Sequence, residues 1–384
     1  MSQPGILGTR LRVSLLSAVD APANPYVSLL RSAVLAAAPE MEVCLHAGPA
    51  PGLLRRDRAD VVHLHWLELW DRPPFLPFAD WQGSRWGRAL RRAANHPQVY
   101  AWRRAARLLT FLGALHRFRR AGGRVVYTVH NLAGHDGGET WADRRAARWL
   151  LRHADALHVH DEHTAEAVAR VRGSREGVAV IPHANYVGAY PNRVSREEAR
   201  QELGLRPDTF VYLFLGQVRP YKGLEELLPA FTRVPGEDRA LVIAGQPAPG
   251  YERVIAALSR QDPRVRFQPG FVPMERVQYY LNAADLCVLP YRRITTSGAA
   301  MLAFSFGLPV LAPAIGGFPA LIGPEQGILY DPAEPDALAR ALADAPKGDW
   351  RSRRAAILAW VRRYDWAEIA PRFITLYRSL VHHA

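Results

Sequence analysis

Arg219 and Lys222 stand three residues apart in the turn GQVRPYKG, after the apolar run Val211–Leu215 and before a helix with Leu224, Leu227, Leu228 and Phe231 on one side. Strand, Gly216, basic turn and helix, in that order, put two cations at the carboxyl end of a parallel strand, where open α/β sheets bind their ligands. That placement suits a diphosphate. A solvated basic turn is the alternative for this segment taken alone. Other stretches supply matching groups. Gln246 follows the strand ending at Gly245, and Tyr291 leads into ITTSGA, where Thr296, Ser297 and Gly298 open a helix. Free N–H groups and the positive dipole end at a helix start accept an anion, and Gly298 lets a phosphate come close. Together these residues outline a nucleotide-diphosphate site.

The first half of the chain offers acids and imidazoles. Val61–Leu67 reads as a strand, VVHLHWL, whose period of two puts His63 and His65 on one face. Two histidines alone fall short of a zinc site, which needs three or four ligands, so no metal is expected. GRVVYTVHN delivers His130 and Asn131 to a strand end, ahead of a glycine-rich loop with His135, Asp136 and Glu139. Loops held on rigid strands commonly carry chemistry. In ALHVHDEH, His158 and His160 alternate on a strand and His163 opens a helix, which favours packing and capping. Cys44 and Cys287 lie in apolar strand-like runs and are assigned no chemistry.

Positioning these groups takes two α/β domains. At 384 residues, with 49% hydrophobic and 22% charged, the chain exceeds one usual domain. Short apolar strands alternate with helices throughout, which means parallel sheets with right-handed crossovers. The expected organisation is 1–188, a looser hinge after Pro182, a second domain over 189–360, and a helix over 361–384 returning to the first. Two Rossmann-like, doubly wound parallel sheets would then face each other across a cleft suited to a large polar substrate. The first residues lack the order of a signal peptide and no long apolar run appears, so a cytoplasmic location is expected.

A net charge of +13 calls for an anionic partner. From Trp81 to His135 there is no acidic residue, while eleven arginines lie between Arg85 and Arg124, interleaved with Trp86, Leu90, Trp102, Leu108, Leu109, Phe111, Leu112, Leu115 and Phe118. That composition fits a helix lying at an anionic membrane surface, and equally a core-facing helix with a basic outer face. No nucleic-acid-binding pattern accompanies it, so no nucleic-acid partner is expected.

In order and spacing, GQVRPYKGLEEL, IAG, RVRFQPGFVPMERVQYYLNAADLCVLPY and GLPVLAP resemble the second half of GT-B glycosyltransferases, including the retaining GT4-like enzymes. The retaining enzymes usually carry two glutamates eight positions apart, where this chain has Ile294 and Leu302. NPY at Asn24 to Tyr26, HLHW at His63 to Trp66 with Glu68, VHNLAGHD, RPYKG and VLPYRRITTSG are instead similar to the β-mannosyltransferases of xanthan-type exopolysaccharide assembly. That resemblance implies an inverting, metal-independent transfer from a sugar nucleotide to a hydroxyl of a glycan or lipid-linked acceptor. The donor it favours is GDP-mannose, with a UDP-sugar as the other choice. Inversion needs one general base for the acceptor hydroxyl, while cations and helix N–H groups neutralise the departing diphosphate. Asp136 is the favoured base, ahead of His135 and Glu68, with Asp20 and His130 also placed for it. His65, His130 and Asn131 would hold substrate hydroxyls, and Asn24 and Tyr26 the acceptor side. A retaining enzyme of the same fold, a donor-binding scaffold without turnover, and a basic non-enzyme binding nucleic acid or membrane are the competing readings.

Overall fold

The computed structural model describes residues 10–17, 24–48, 52, 54, 58–66, 97–130 and 141–382. The chain divides into two compact units. The first comprises residues 1–159, 165–181 and 370–384, and the second 160–164 and 182–369. The sequence reading drew its lines at 188 and 360; the structure places the change at Ile181 and the return at Ala370.

The first unit is built on six parallel strands: β1 (Arg12–Ser17), β2 (Glu42–Ala47), β3 (Val61–His65), β4 (Arg124–Thr128), β5 (Ala156–Val159) and β6 (Val178–Val180), in the order β2-β1-β3-β4-β5-β6. Its helices are α1 (Tyr26–Ala37), α2 (Pro97–Arg120), α3 (Trp141–His153) and α4 (Glu162–Arg172). β1, β3 and β4 are apolar and almost wholly buried, as strands of a parallel sheet covered on both faces must be. One core runs from Leu16, Val62 and Leu64 through Leu108, Phe111, Leu112 and Leu115 of α2 to Ala146 and Leu150 of α3.

The second unit repeats the plan with β7 (Phe210–Leu215), β8 (Arg239–Gly245), β9 (Val265–Pro269), β10 (Leu286–Val288), β11 (Val310–Pro313) and β12 (Gly327–Tyr330), ordered β12-β11-β10-β7-β8-β9 and all parallel. Its helices are α5 (Arg196–Glu202), α6 (Leu224–Thr232), α7 (Tyr251–Ser259), α8 (Met274–Ala283), α9 (Gly298–Ser305), α10 (Phe318–Leu321), α11 (Ala337–Asp344) and α12 (Arg354–Val361). The last helix, α13 (Trp366–His382), carries Phe373 and Tyr377 into the first unit's core. At the amino end of β10, Asp285 accepts from Arg196 and Arg200, each at 2.7 Å, and from the Val211 N–H at 2.8 Å, so the buried carboxylate is fully bonded.

Strand order reverses between β1 and β3 in the first sheet and between β7 and β10 in the second. A doubly wound sheet opens a crevice at such a switch point, beyond the carboxyl ends of the two strands. The segments after β7 and β10 hold Lys222 and Tyr291, and those after β1 and β3 hold Asn24 and Trp66.

Candidate active site

In the second unit, Gly216 and Gly245 end adjacent strands with φ of +133° and +151°. A Cβ on Gly245 would lie 1.6 Å from the Gly216 carbonyl oxygen, so only glycine lets the two strand ends touch. The chain then turns through a 3₁₀ segment, Pro220–Lys222, and Gly223 closes it in the left-handed region, where a Cβ would meet the Pro290 carbonyl oxygen at 1.9 Å. A hydrogen bond from the Arg292 N–H to the Tyr221 carbonyl, 2.8 Å, joins the β7 turn to the segment after β10. Arg292 itself is held by Glu225 and Glu226, both within 2.7 Å.

That clasp buries Lys222, which is only 8% exposed. Its ammonium lies 5.0 Å from the Tyr291 ring centroid, 5.7 Å from Phe214 and 5.9 Å from Tyr221. Three aromatic faces stabilise the cation, and the Nζ lies 3.6 Å from where a Gly216 Cβ would stand. Arg219, half-buried, donates through Nε to the Gln217 side chain at 2.8 Å. Burial pushes the Tyr291 hydroxyl far up, with Tyr221 and Cys287 adding to the shift and Ser297 opposing it. Ser297, also buried, caps α9 by accepting from the Ala300 N–H at 3.1 Å. Gly216, Lys222 and Tyr291 therefore share one neighbourhood, Ser297 adjoins Tyr291, and Gly298 opens the helix behind it. Thr296 is half-buried beside them, and Gln246 is exposed on the segment after β8.

Two residues that the sequence reading left unassigned stand at Gly298. A Cβ there would lie 3.4 Å from the Tyr186 hydroxyl and 3.5 Å from His183 Nε2. His183 donates from Nδ1 to the Ala184 carbonyl at 2.7 Å, so Nε2 is its acceptor nitrogen when the ring is neutral. Burial lowers this histidine to about 4, outweighing that hydrogen bond. The motif IPHANY, directly after β6, is the only sequence signal that marks the pair.

In the first unit, Asn24 accepts from the Tyr26 N–H at 3.0 Å, and α1 starts at Tyr26. Tyr26 is fully buried, with the rings of His65, Trp66 and His130 all near 6 Å: 6.1, 6.3 and 6.2 Å. His65 Nδ1 and His130 Nε2 are 3.2 Å apart, and Trp66 stacks on His130 at 4.2 Å. Trp66 holds φ of +49°, a left-handed conformation that costs a bulky residue energy and marks a constrained site. Asn131, His135, Asp136, Glu68 and Asp20 lie outside the described residues.

Behind this cluster the proton positions are dictated by one carbonyl. His158 Nε2 must donate to the Ile181 oxygen, 2.9 Å, which leaves Nδ1 of a neutral ring to accept from the Thr128 hydroxyl, 2.9 Å. Thr128 then accepts from His63 Nε2 at 2.7 Å, and His63 Nδ1 accepts from the Tyr377 hydroxyl at 2.8 Å. Burial, reinforced by His65, His158 and His130, holds His63 well below the ordinary imidazole range, and burial with His158 does the same to His65. Among the described residues no group of three or more His, Cys, Asp or Glu is arranged to hold a metal ion.

These depressed histidines make stability depend on pH with a definite sign. The unfolded chain binds the proton near 6.5, whereas His183 binds it only near 4 when folded, so stability present above 6.5 is lost as pH falls toward 4. His183 gives a limiting slope of about 1.4 kcal/mol per pH unit in this window. Urea denaturation at a series of pH values checks this; a flat profile across the window would contradict neutral burial.

Residues 195–357 match the family model "Glycosyl transferases group 1". The chain is 29% identical over 280 residues to a D-inositol 3-phosphate glycosyltransferase of Corynebacterium glutamicum (strain R), covering 67% of each chain. It is 28% identical over 348 residues to a GDP-mannose:glycolipid 4-beta-D-mannosyltransferase of Xanthomonas campestris pv. campestris, covering 88% of this chain and 86% of the relative. In three dimensions it is similar to a sucrose-phosphate synthase from Thermosynechococcus elongatus, with a TM-score of 0.70 at 21% identity over 98% of this chain and 100% of the other. Two six-stranded parallel sheets, a glycine-lined basic turn and this match together identify residues 195–357 as a group 1 glycosyl transferase domain, carried by a glycosyltransferase of the GT-B fold.

Proposed function

We propose that the chain transfers a hexose, mannose by preference, from a nucleotide-diphosphate sugar to a hydroxyl of a glycan or lipid-linked acceptor. GDP-mannose is the favoured donor and a UDP-sugar the second choice. The observation that carries this reading is the Lys222 ammonium held among three aromatic rings beside Gly216, at the switch point of the second sheet. A cation fixed there supplies positive charge where a departing diphosphate gathers negative charge, with no side chain left to reorganise.

The reaction we infer is a direct displacement with inversion. The acceptor hydroxyl gives its proton to a carboxylate, for which Asp136 is the proposed group, and its oxygen attacks the anomeric carbon. The bond from that carbon to the diphosphate oxygen breaks, and the nucleoside diphosphate leaves against Lys222, Arg219 and the N–H groups at Ser297 and Gly298. In this proposal those groups take the place of a metal ion. His65 and His130 hold acceptor or donor hydroxyls, aided by Asn131, with Asn24 and Tyr26 behind them. Support for inversion comes from Ile294 and Leu302, which occupy the positions where retaining relatives carry glutamates. Support for mannose comes from the Xanthomonas relative, whose name gives GDP-mannose and a glycolipid. A lipid-linked acceptor would be met by a cytoplasmic enzyme in peripheral contact with the membrane. No described helix is long and apolar enough to cross one.

A retaining transfer is the second reading, from the resemblance of the second half to the retaining GT4-like enzymes. The anomeric configuration of the product, read by NMR, separates the two. Donor identity is tested by thermal shift with GDP-, UDP- and dTDP-sugars: the true donor, at a hundred times its dissociation constant, adds about 2.7 kcal/mol. A flat response to every sugar nucleotide would overturn the reading.

A further inference from the structure

The residues that cover α2 sort the basic stretch into two faces. Leu108, Phe111, Leu112 and Leu115 are core, and Phe118 packs against it, so these side chains are not available to a partner. Outward, at helical spacing, stand Val99, Trp102, Ala106 and Leu109, with Trp102 73% exposed. Arg103, Arg107, Arg117 and Arg120 share or flank that arc. On α3, Trp141 is 52% exposed and heads a row continued by Arg145, Arg148 and Arg152.

The two helices are pinned together. Arg104 donates to buried Asp143 at 2.8 Å and 3.1 Å, fixing the first turn of α3 beside the first turns of α2 and holding Trp141 and Trp102 at the same end. Asp143 is the only acidic residue on either helix, and that bond consumes it. Arg103, Arg107, Arg117, Arg120, Arg145, Arg148 and Arg152 make no ion pair with any described residue. Four of the eight large hydrophobic side chains exposed among the described residues, Val99, Trp102, Leu109 and Trp141, belong to these two helices.

We propose that the outward face of α2 and α3 docks on the headgroup layer of an anionic phospholipid membrane, with Trp102, Trp141 and Leu109 entering the interface and the unpaired arginines contacting phosphates. Amphipathic tryptophans favour the boundary between water and acyl chains, and arginines beside them are drawn to a negative surface. The inference deepens the lipid-linked acceptor reading, since it names the surface that brings the enzyme to such an acceptor. Vesicle binding needs no acceptor or donor, so the two readings fail separately.

The experiment is co-sedimentation of the full chain with phosphatidylcholine vesicles, with and without phosphatidylglycerol. Binding is expected only with the anionic lipid, weakening with salt. Replacing Arg145, Arg148 and Arg152 together by glutamine should weaken it by a factor of about five per charge, on the order of a hundredfold in all. In the unaltered protein, brominated lipid should quench tryptophan emission; Trp102→Phe with Trp141→Phe should abolish the quenching. Transfer to a water-soluble acceptor should be unchanged in these variants. Equal binding to neutral vesicles, or binding indifferent to both sets of changes, overturns the proposal. A duplex-DNA shift lost in the arginine variant while vesicle binding persists would make the surface a nucleic-acid face and overturn it too.

Discussion

Lys222→Ala is expected to lower kcat/KM for sugar transfer by about 100- to 1,000-fold, the usual loss when one fixed donor to a developing negative charge is removed from a water-poor site. The size follows from burial. Lys222 is 8% exposed and its ammonium is fixed by Phe214, Tyr221 and Tyr291, so no neighbouring side chain swings in to replace it. Lys222→Arg should recover little, because a planar, forked guanidinium does not fit a space shaped for a compact ammonium. Arg219→Ala should cost less, since that side chain is only half-buried and its Nε is already bonded to Gln217. Steady-state kinetics with saturating donor check the order. A Lys222→Ala enzyme running at the original rate would remove the cation from the reaction.

Asp136→Asn is expected to keep donor binding within about twofold and to lower kcat by a factor of about 100 to 10,000, the range that general-base catalysis contributes. The amide preserves the side chain's size and one acceptor oxygen but takes up no proton at neutral pH. The acid limb of the pH–rate profile should vanish with it, because that limb reports protonation of the base. Unchanged turnover would pass the role to His135 or Glu68, and lost donor binding would make Asp136 a binding group instead. Isothermal titration with the donor, beside the rate, separates these outcomes.

Much of the architecture was readable before any coordinates. The apolar run Gly327–Tyr330 forms a strand, and Met274–Ala283, Tyr251–Ser259 and Gly298–Ser305 form helices, as the alternation of short apolar strands with helices predicts. The pairing of His63 with His65 on one face also came from alternation alone, and their rings lie 4.2 Å apart. The stretch from Trp102 to Phe118 was harder. Its arginines and apolar residues announce an amphipathic helix, but period alone does not say whether lipid or a protein core covers the apolar side. The core takes Leu108, Phe111, Leu112 and Leu115, and a second, narrower stripe through Trp102 and Leu109 faces out.

The alternation of buried strands with helices, the glycines at strand ends and the basic turn were written in the order of residues, because period and backbone freedom are properties of neighbours along the chain. What folding alone decided is where protons and charges come to rest. His63 takes its tautomer through Thr128 and His158 from the Ile181 carbonyl, and bonds a tyrosine 314 positions away. Lys222 owes its burial to Tyr291, brought to it by the adjacency of β7 and β10. Desolvation and hydrogen bonding depend on which distant groups share a space, and no local pattern in a sequence carries that information.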